Sequence, residues 1–390
     1  MAQALSTPQI VSTDREFLKE VLNLQGDALD RCYQCGTCSV VCPITPEKLA
    51  FPRKEMIWAQ WGMKDRLLQD PDVWLCHQCN DCNTHCPRDA RPGDLMAALR
   101  NYHITHYAAA SFLAKPATNP AYLPLAFIIP LILVFGIVLF GVILPKGGLV
   151  FPEGRVMFAH FIPSEFIDVS ALMANTIGFI FAAIGATKFW RSITQFEGDQ
   201  TPKRGLVPSF MSAVVDIFSH RQFKDCTTNQ ARYPAHAAIF YGFLFLFAAT
   251  TGAFIYTAFL KRELSLPLYD PVKIIGNLGF LLMLGGLTVV SYRRMATTLR
   301  SIYFDWFFIG LLYVVILTGF FLQALRLLET GAIAYSFYLV HLVLVYTLYI
   351  YLPFSKFAHL VYRTAAMTWA RRTGRVRTPE NERVPVFPVS

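Results

Sequence analysis

The sequence predicts an all-α protein in two parts, a soluble helical region followed by a bundle of six membrane-spanning helices. The chain is unusually apolar, with 54% hydrophobic and 16% charged residues, as is typical of membrane proteins. Its long apolar runs all lie after about residue 122, and the region before them carries apolar residues at helical spacing. We therefore predict domains at 1–115 and 116–365, followed by a tail at 366–390.

The first part is marked by its cysteines, because eight of the nine lie between Cys32 and Cys86 and only Cys226 lies elsewhere. Such clustering favours metal binding over disulfides. The N-terminal sequence MAQALSTPQIVSTDREFLKE lacks the basic start, the apolar core and the small-residue cleavage site of a signal peptide. We therefore expect these cysteines to lie in the reducing cytoplasm.

The cysteines form two runs with one pattern, C-x2-C-x2-C-x3-C-P, in the sequences CYQCGTCSVVCP and CHQCNDCNTHCP. Three thiolates at this spacing hold one 4Fe–4S cluster, and the fourth, which precedes proline, ligates the other cluster. The pattern therefore predicts two clusters with crossed ligands. The first would be held by Cys32, Cys35, Cys38 and Cys86, and the second by Cys76, Cys79, Cys82 and Cys42.

Zinc sites and disulfides are the alternatives for these cysteines. Zinc sites also use C-x2-C pairs, but they take two separated pairs, whereas each run here already holds four cysteines and ends in Cys-Pro. His77 and His85 lie inside the second run and are not needed to complete the ligand count. We expect them at the surface or in contact with the ligands.

The segments next to the runs predict helices. FPRKEMIWAQWGMKDRLLQ, between the runs, predicts a linking helix, and RPGDLMAALRNYHITHYAAASFL, after Cys86, predicts a second helix opened by proline. The cluster region is therefore expected to be all-α rather than a βαβ fold. His103 and His106 lie on the second helix, which we interpret as an amphipathic surface near the lipid headgroups.

Six apolar stretches are long enough to cross a bilayer, which takes about 20 helical residues. They lie at 122–144, 168–190, 236–260, 272–292, 303–325 and 332–352. If the cluster region is cytoplasmic, the loops 191–235 and 293–302 and the C-terminal segment after the last span, 353–390, share its side, with 6, 3 and 7 Lys or Arg residues. The opposite loops, 145–167, 261–271 and 326–331, carry 2, 2 and 1.

This distribution of positive charge agrees with the positive-inside rule. We therefore predict a multi-pass protein of the cytoplasmic (inner) membrane, with the cluster domain and the C-terminus on the cytoplasmic side of the lipid bilayer. The topology also accounts for the net charge of +9, so no nucleic-acid partner is predicted.

Histidines in or near the spans are candidate haem ligands, because ionisable residues inside a bilayer are costly. His341, in the last span, and His359 are 18 residues apart, or five turns of one helix, which separates them by roughly 27 Å along its axis. One helix would thus supply a ligand to each of two stacked b-type haems. His236 opens the third span at the depth of His359 and is its predicted partner.

His160 is the candidate partner of His341, provided that the segment GRVMFAHFIPSEFID folds back into the outer leaflet. For any single histidine, the alternative is a hydrogen-bonded core residue. His220 and Cys226 lie in the loop sequence SHRQFKDC. They are candidates for metal binding, and the alternative is a structural role.

Both parts of the chain resemble known families. The first 110 residues resemble the heterodisulfide reductase C subunits through CYQCGTCSVVCP, PRKEMIWAQWGMKDRLLQDPDVWLC and CHQCNDCNTHCPRDARPGDLMAALR. This resemblance implies an α-helical ferredoxin fold. The remainder resembles the haem b membrane subunits of heterodisulfide reductase and respiratory nitrate reductase, through RYPAHAAIFYGFLFLFAATTG around His236 and the spacing of His341 and His359.

The fusion of the two parts is similar to the C subunit of quinone-interacting membrane-bound oxidoreductase complexes. This resemblance implies an oxidoreductase subunit that oxidises menaquinol from the membrane quinone pool and passes electrons through haem b and the two clusters. The implied cytoplasmic partners are flavin and iron–sulfur subunits of the heterodisulfide reductase A type, leading towards adenylylsulfate reductase in sulfate respiration. Leu246 stands where the nitrate reductase pattern has a second histidine, which leaves open whether one haem or two are bound.

Other functions remain open beside this one. Glu165, Asp168, Asp270 and Lys273 are candidates for the quinone site, with solvation at the membrane surface as the alternative. The chain has no G-x-G-x-x-G motif, so we expect no flavin of its own. The rival functions are a heterodisulfide-reductase-type membrane cytochrome with another acceptor, a redox-controlled transporter, for which paired acids in the spans are missing, and a membrane-anchored zinc regulator.

Overall fold

The computed structural model describes residues 13–26, 28–46, 48–196, 201–220, 223, 231–262, 265–296 and 300–375. Within these ranges the chain forms helices and no strand, which confirms the predicted all-α class. The helices of the cysteine-rich region are α1 Arg15–Gln25, α2 Thr37–Val40, α3 Arg53–Gln60, α4 Lys64–Leu68, α5 Asp72–Leu75, α6 Asp81–Thr84 and α7 Pro92–Tyr107.

The remaining helices include those that are long and apolar. They are α8 Ser111–Thr118, α9 Leu125–Val138, α10 Leu144–Lys146, α11 Phe158–Phe161, α12 Ser164–Ile193, α13 Leu206–Ser219, α14 Arg232–Ala258, α15 Pro271–Ala296, α16 Tyr303–Leu327, α17 Ala332–Tyr351 and α18 His359–Thr373. A single π-helical turn, Leu139–Ile143, joins α9 to α10.

The segment between the cysteine runs forms three short helices, α3, α4 and α5, so the prediction of one linking helix was wrong. Gly62 interrupts the helical path with a φ of +64°, in the left-handed region that favours glycine. A Cβ on Gly62 would lie 3.0 Å from the carbonyl oxygen of Asp14. Pro71 then precedes α5, where its missing N–H costs no helical hydrogen bond.

The helix after the second run begins at Pro92, as predicted, but His103 does not lie on a surface. Its side chain is fully buried. The indole Nε1 of Trp74 donates to His103 Nδ1 at 3.1 Å, and His103 Nε2 lies 3.0 Å from the carbonyl oxygen of Leu67. The surface position predicted for His103 was therefore wrong, because this face of α7 packs into a core, whereas His106 is exposed.

Six helices in the described part of the chain are long and apolar enough to cross a membrane, which is consistent with a membrane protein. Each one overlaps a predicted span. They are Pro120–Lys146, Ser164–Ile193, Arg232–Ala258, Pro271–Ala296, Tyr303–Leu327 and Ala332–Phe354.

The last span and α18 are separate helices. α17 ends at Tyr351, the 3₁₀ turns Leu352–Phe354 and Lys356–Ala358 follow, and α18 begins at His359. The prediction that one continuous helix carries both His341 and His359 was therefore wrong. Pro353 is the physical reason, because proline has no N–H to continue the helix and its ring clashes with the preceding turn.

The chain divides into two compact units that are discontinuous in sequence. The first draws on 1–103, 186–229 and 359–390, and the second on 104–185 and 230–358. The first unit thus contains α13 and α18 together with the cysteine-rich helices. The domain boundaries at 115 and 365 remain a prediction made along the sequence.

The core of the first unit is aromatic. Trp74 stacks on Tyr362 of α18 with ring centroids 5.3 Å apart, and the ring of Phe189 contacts both. All three side chains are almost completely buried. In the second unit, the core lies where α9, α11 and α17 meet, around Phe161 and Tyr335.

Glycines allow α14 and α15 to pack backbone against backbone in the second unit. A Cβ on Gly242 of α14 would lie 2.8 Å from the nitrogen of Met283, and one on Gly279 of α15 would lie 2.9 Å from the oxygen of Gly242. A Cβ on Gly286 would meet the oxygen of Ala235 at 2.7 Å. Small residues that permit this close approach are a common basis of helix packing in membranes.

Candidate functional site

The two cysteine runs fold in the same way. Gln34 and Gln78, at matching positions, have φ values of +65° and +52°. Gly36 and Asn80, two residues further on, have φ values of +83° and +71° and begin α2 and α6. Glycine and asparagine are residue types that tolerate this left-handed conformation. The repeat in the sequence is therefore a repeat of backbone geometry.

The last cysteine of the first run lies with the cysteines of the second. Cys42, Cys76, Cys79 and Cys82 line one cavity, whose lining also includes apolar residues such as Ile44 and Phe51. Burial, and then the charges of the neighbouring Cys76 and Cys79 thiolates, raise the pKa of Cys42 to about 12. Burial and the same two neighbours also raise the pKa of Cys82.

In the first run, Cys32 has Cys86 of the second run as a neighbour. Burial raises the pKa of Cys32, and the thiolates of Cys86 and Cys35 add to this effect. Burial and the charge of Cys32 raise the pKa of Cys38 to about 11. Cys35 is exposed, and hydrogen bonding by Thr37, whose Oγ1 lies 3.3 Å from the sulfur, lowers its pKa.

These two sets of thiols fit 4Fe–4S clusters. The eight cysteines among the described residues are free of disulfides, and each set offers the four sulfur donors that a cluster takes. A raised pKa means that a buried thiol loses its proton only at a cost in free energy. Ligation of iron would offset this cost, because the metal supplies positive charge next to the thiolate. Cys226 lies outside the described residues.

Besides the contact of Thr37 with Cys35, hydrogen bonds reach three more of the sulfurs. The backbone N–H of Gln78 donates to Cys76 Sγ at 3.3 Å, and that of Ala90 donates to Cys86 Sγ at 3.2 Å. The Gln34 side chain donates to Cys32 Sγ at 3.5 Å. Hydrogen bonds to ligand sulfurs are one of the factors that set the reduction potential of a cluster.

Arg100 and Arg363 hold the start of the second run. The guanidinium of Arg100 donates to the carbonyl oxygens of Val73, at 2.7 Å, and Cys76, and to the Gln78 side chain at 3.2 Å. Arg363 of α18 donates to the Cys76 carbonyl oxygen at 3.0 Å. Neither arginine was a sequence-predicted site residue, because nothing in their spacing shows which carbonyl they reach.

Gln60 has the same role at the first run. Its amide donates to the carbonyl oxygens of Leu29 at 3.1 Å and Cys32 at 2.9 Å, and its oxygen accepts from Gln34 at 3.0 Å. The side chain is at the end of α3. Each run therefore has a polar side chain from a neighbouring helix that fixes its first turn.

A buried charge cluster lies beside these helices in the first unit. Lys54 contacts Glu55, Asp70 and Asp72, and Arg375 makes two hydrogen bonds to Asp72. Burial alone would raise the pKa of Asp72, but the charges and hydrogen bonds of Lys54 and Arg375 together lower it. Burial raises the pKa of Glu55 well above its usual value. With two cations already among three acids, this cluster is an ion-pair network and not a cation site.

His341 is held in one tautomer by α16. The hydroxyl of Thr318 lies 2.6 Å from the carbonyl oxygen of Val314 and 2.8 Å from His341 Nδ1. Because the single hydroxyl proton is donated to Val314, we assign Nδ1–H as the donor to Thr318. Nε2 then carries a lone pair and makes no hydrogen bond to a described residue. Gly319 leaves room for the ring, since a Cβ there would lie 3.2 Å from Cε1.

The other candidate histidines lie in different surroundings. His236 is half-buried in α14 of the second unit, and His359 begins α18 of the first unit, so their pairing remains a prediction. The segment around His160 does fold against α17, through the rings of Phe158 and Phe161, but the His160 side chain is exposed. Its role as a ligand also remains a prediction.

His220 ends α13 in the left-handed conformation, with a φ of +51°. Its side chain is buried, and Nδ1 lies 3.2 Å from the carbonyl oxygen of Phe218. Burial lowers the pKa of His220. These contacts are those of a helix-terminating residue, and they supply a structural role for it.

Of the quinone-site candidates, Asp168 and Asp270 have defined partners. Asp168 of α12 accepts a hydrogen bond from Thr257 of α14 at 2.9 Å. Asp270 accepts one from the backbone N–H of Val272 at 2.9 Å, which is the N-cap arrangement for α15. Glu165 is exposed in the first turn of α12, and Lys273 is half-buried in the first turn of α15.

An iron–sulfur electron-transfer domain joined to helices suited to a membrane defines the class of protein. A family model described as Citrate utilization protein B matches residues 118–380, more than half of the chain, and the chain belongs to this family. A second model, the 4Fe–4S dicluster domain, matches residues 28–90, which contain both cysteine runs. No motif in the sequence had predicted the first of these relationships.

Relatives divide between the two parts of the chain. The C subunit of the H(2):CoB-CoM heterodisulfide,ferredoxin reductase from Methanothermobacter marburgensis is 36% identical over 26% of this chain and 59% of its own length. A protein of Archaeoglobus profundus that is named as similar to heterodisulfide reductase C subunits is 37% identical over 25% of this chain and 50% of its own length. The chain thus spans only about half the length of these relatives.

Citrate utilization protein B of Escherichia coli is similar over almost the whole molecule, with 27% identity over 87% of this chain and 89% of its own length. No solved structure matches the chain. The predicted resemblance of the N-terminal region to heterodisulfide reductase C subunits is confirmed. These relatives are subunits of oxidoreductase complexes, which is consistent with an oxidoreductase subunit.

Proposed function

We propose that the chain is the quinone-reacting, electron-transfer subunit of a membrane oxidoreductase complex. The observation that carries the proposal is the cavity in which Cys42 of the first run joins the first three cysteines of the second. This crossed arrangement is what two adjacent 4Fe–4S clusters require. The same chain has six helices suited to a membrane, where quinones reside.

In this proposal the two thiol sets are the cluster ligands. The first cluster is held by Cys32, Cys35, Cys38 and Cys86, and the second by Cys76, Cys79, Cys82 and Cys42. Bound clusters would supply one-electron carriers to the soluble part of the chain. Gln60 and Arg100 hold the two runs in place through backbone carbonyls, and the N–H donors at the sulfurs tune the potentials.

A b-type haem is the proposed redox group of the membrane part. Support comes from His341, because Thr318 fixes the tautomer in which Nε2 is free to ligate iron. His236 and His359 are proposed as the ligands of an inner haem, and His160 as the second ligand at His341, so that one haem or two are bound. When bound, haem would supply a one-electron carrier within the membrane part.

The proposed donor is menaquinol, and the proposed acceptors are cytoplasmic flavin and iron–sulfur subunits of the heterodisulfide reductase A type. The relatives of the N-terminal region support partner subunits, since each is named as one subunit of a reductase. The Lys and Arg distribution supports a cytoplasmic cluster domain. We extend the proposal to adenylylsulfate reductase as the terminal acceptor in sulfate respiration.

The crossed ligands can be tested with Cys42→Ser in the full chain purified in detergent, with Cys226→Ser as the matched control. We expect wild type and Cys226→Ser to show both cluster signals by electron paramagnetic resonance, together with haem b in the pyridine haemochrome spectrum. Cys42→Ser should lose or alter the signal of the second cluster alone, because it removes one of four ligands.

Two outcomes would contradict this proposal. Zinc without iron in the wild-type protein would remove the electron-transfer function altogether. Loss of the first cluster in Cys42→Ser, with the second unchanged, would show that each run binds its own cluster. A cross-check with Cys86→Ser should give the reverse pattern, with the first cluster lost and the second retained.

The relationship to Citrate utilization protein B favours a second candidate function. That relative is named for the use of citrate, and the growth of a cell on an organic acid releases electrons that must be passed on. In this version the electrons flow from a cytoplasmic partner through the clusters to menaquinone. The two versions differ in the midpoint potentials of the clusters relative to the quinone.

A further inference from the structure

In the second unit, polar side chains of α12 contact one side chain of α14 and one of α17. Asp168 of α12 accepts a hydrogen bond from Thr257 of α14 at 2.9 Å. Two residues along α12, Ser170 lies 2.5 Å from the hydroxyl of Tyr346 on α17. A carboxylate within a span is costly, and such residues are by default candidates for function.

Tyr338 of α17 faces this group without a hydrogen-bond partner. Its ring stacks on Phe158, with centroids 4.6 Å apart. Asp168 and Tyr346 lie close enough to act electrostatically on its hydroxyl, yet that hydroxyl makes no hydrogen bond to a described residue. The Tyr338 side chain is half-buried, so its hydroxyl, with a carboxylate nearby and no partner among the described residues, is open to a ligand.

His341 lies one helical turn further along α17 from Tyr338. Residues three apart on a helix are neighbours on its surface. The unpaired Nε2 of His341, the unpaired hydroxyl of Tyr338 and the carboxylate of Asp168 therefore belong to one region of the second unit. This places a proton acceptor and a hydrogen-bond donor next to a proposed ligand of a redox group.

Asp168 also has a route to the aqueous phase. Glu165 lies three residues earlier on α12, so it is a helical neighbour of Asp168, and its side chain is exposed. Asp270, by contrast, is engaged as the N-cap of α15. Asp168 and Glu165 are therefore better candidates for proton transfer than Asp270, whose carboxylate caps a helix.

We propose that Asp168 and Tyr338 bind the headgroup of the membrane quinol and that Asp168 accepts its protons. Tyr338 donates to one oxygen of the quinol, and the Asp168 carboxylate, oriented by Thr257, takes the proton from the other. This inference rests on the proposed quinone-reacting function and names the site at which that reaction would take place.

The step balances as the oxidation of a hydroquinone to a quinone. Two O–H bonds break, two electrons leave one at a time to the one-electron carriers of the chain, and two protons are released. Asp168 accepts the proton of the oxygen that it faces and passes it to exposed Glu165 and then to water. The proton of the other oxygen moves to the Tyr338 hydroxyl, which gives its own proton to Asp168 once Asp168 is free again. In the opposite direction of electron flow, the same groups deliver two protons to the quinone.

The test uses the full chain in lipid vesicles, with Asp168→Asn and Tyr338→Phe as the variants. Their matched controls are Glu153→Gln, an exposed acid in the loop before α11, and Tyr349→Phe, another tyrosine of α17. Binding of a short-chain menaquinone analogue is followed by quenching of tryptophan fluorescence. Single-turnover reduction of the clusters by the corresponding menaquinol is followed by absorbance.

We expect Asp168→Asn to bind the analogue with nearly unchanged affinity but to react about 100-fold more slowly, because general-base catalysis has been removed. Asp168→Glu should recover part of this rate. Tyr338→Phe should weaken binding about fivefold, which is the effect of one neutral hydrogen bond. The two controls should match wild type, and dithionite should reduce the clusters fully in every variant.

The outcomes separate this inference from the function on which it rests. If the wild-type chain binds no quinone analogue and takes no electrons from menaquinol, the proposed function fails. If the wild type does both, and Asp168→Asn and Tyr338→Phe behave like their controls, the quinone site lies elsewhere and only this inference is overturned.

Discussion

At the scale of single residues, the hydroxyl of Thr318 decides what His341 can do. It accepts the Nδ1 proton and leaves Nε2 as the unprotonated nitrogen, which is the form that ligates a metal. We expect Thr318→Val, which keeps the shape but removes the acceptor, to weaken haem retention by about 10- to 100-fold, as is usual for partners of ligating histidines. The pyridine haemochrome assay after dilution in detergent measures this loss.

Thr250→Val is the control for that prediction, because Thr250 hydrogen-bonds only within its own helix, to Leu246 at 3.0 Å. It should keep its haem. If Thr318→Val also keeps its haem with unchanged spectrum and midpoint potential, and loses only thermal stability, then His341 is a core histidine that is satisfied by Thr318 rather than a ligand.

Residue-level predictions from the sequence succeeded where the relevant geometry is local. The spacing within the second run predicts that Cys76, Cys79 and Cys82 lie together, because a few residues of backbone determine where those thiols can point. Arg100 and Tyr338 could not be found in this way. Arg100 reaches a carbonyl 27 residues away, and the unpaired hydroxyl of Tyr338 is apparent only once α12 and α17 are packed.

At the scale of elements, the glycines between α14 and α15 hold the helix that carries His236. A Cβ on Gly286 would lie 2.7 Å from the oxygen of Ala235, whereas one on the adjacent Gly285 would have nothing within 4 Å. We expect Gly286→Ala to destabilise the protein by about 1–3 kcal/mol through overpacking. Gly285→Ala should be neutral or stabilising by about 0.5–1 kcal/mol, because alanine is the better helix former.

Thermal unfolding of the two variants in detergent, followed by circular dichroism, checks this contrast. Equal melting temperatures for Gly286→Ala and Gly285→Ala would contradict the close packing of α14 on α15. If Gly286→Ala also shifts the haem absorbance bands, the displacement reaches His236, as the proposed inner haem requires.

Elements were predicted well where length and hydropathy alone define them, as for the six apolar helices. Breaks were predicted less well. Gly62 divides the linking segment because its left-handed conformation brings it against Asp14, a contact that no local pattern contains. Pro353, by contrast, is a residue in the sequence that indicates a helix end, and α17, which carries His341, ends just before it.

At the scale of the whole molecule, the chain is not a simple series of domains. The first compact unit recruits α13 and α18 from the second half of the sequence, and Arg363 and Arg375 of that half bind the cysteine-rich helices. A division drawn along the sequence cannot show this exchange, because it depends on which distant helices pack together. A truncated N-terminal fragment would lack Tyr362 from its aromatic core and both arginines.

The direction of electron flow also belongs to the whole molecule, since it depends on the potentials of all bound groups and of the quinone. If menaquinol is the donor, at least one cluster should have a midpoint potential above that of the menaquinone couple. Menaquinol added to oxidised full-length protein in vesicles should then produce the signal of a reduced cluster in electron paramagnetic resonance. A redox titration of the same sample gives the potentials.

The alternative direction makes the opposite prediction. If electrons pass from a cytoplasmic partner to menaquinone, both clusters should lie below the quinone couple, and a difference of about 59 mV would already correspond to a factor of ten for one electron. Dithionite-reduced clusters would then be reoxidised by menaquinone, while menaquinol would leave oxidised clusters unchanged. Those two results together would overturn the proposed oxidation of quinol. The crossed cluster ligands, the tautomer of His341 and the quinone site at Asp168 would still stand, because they do not depend on the direction of electron flow.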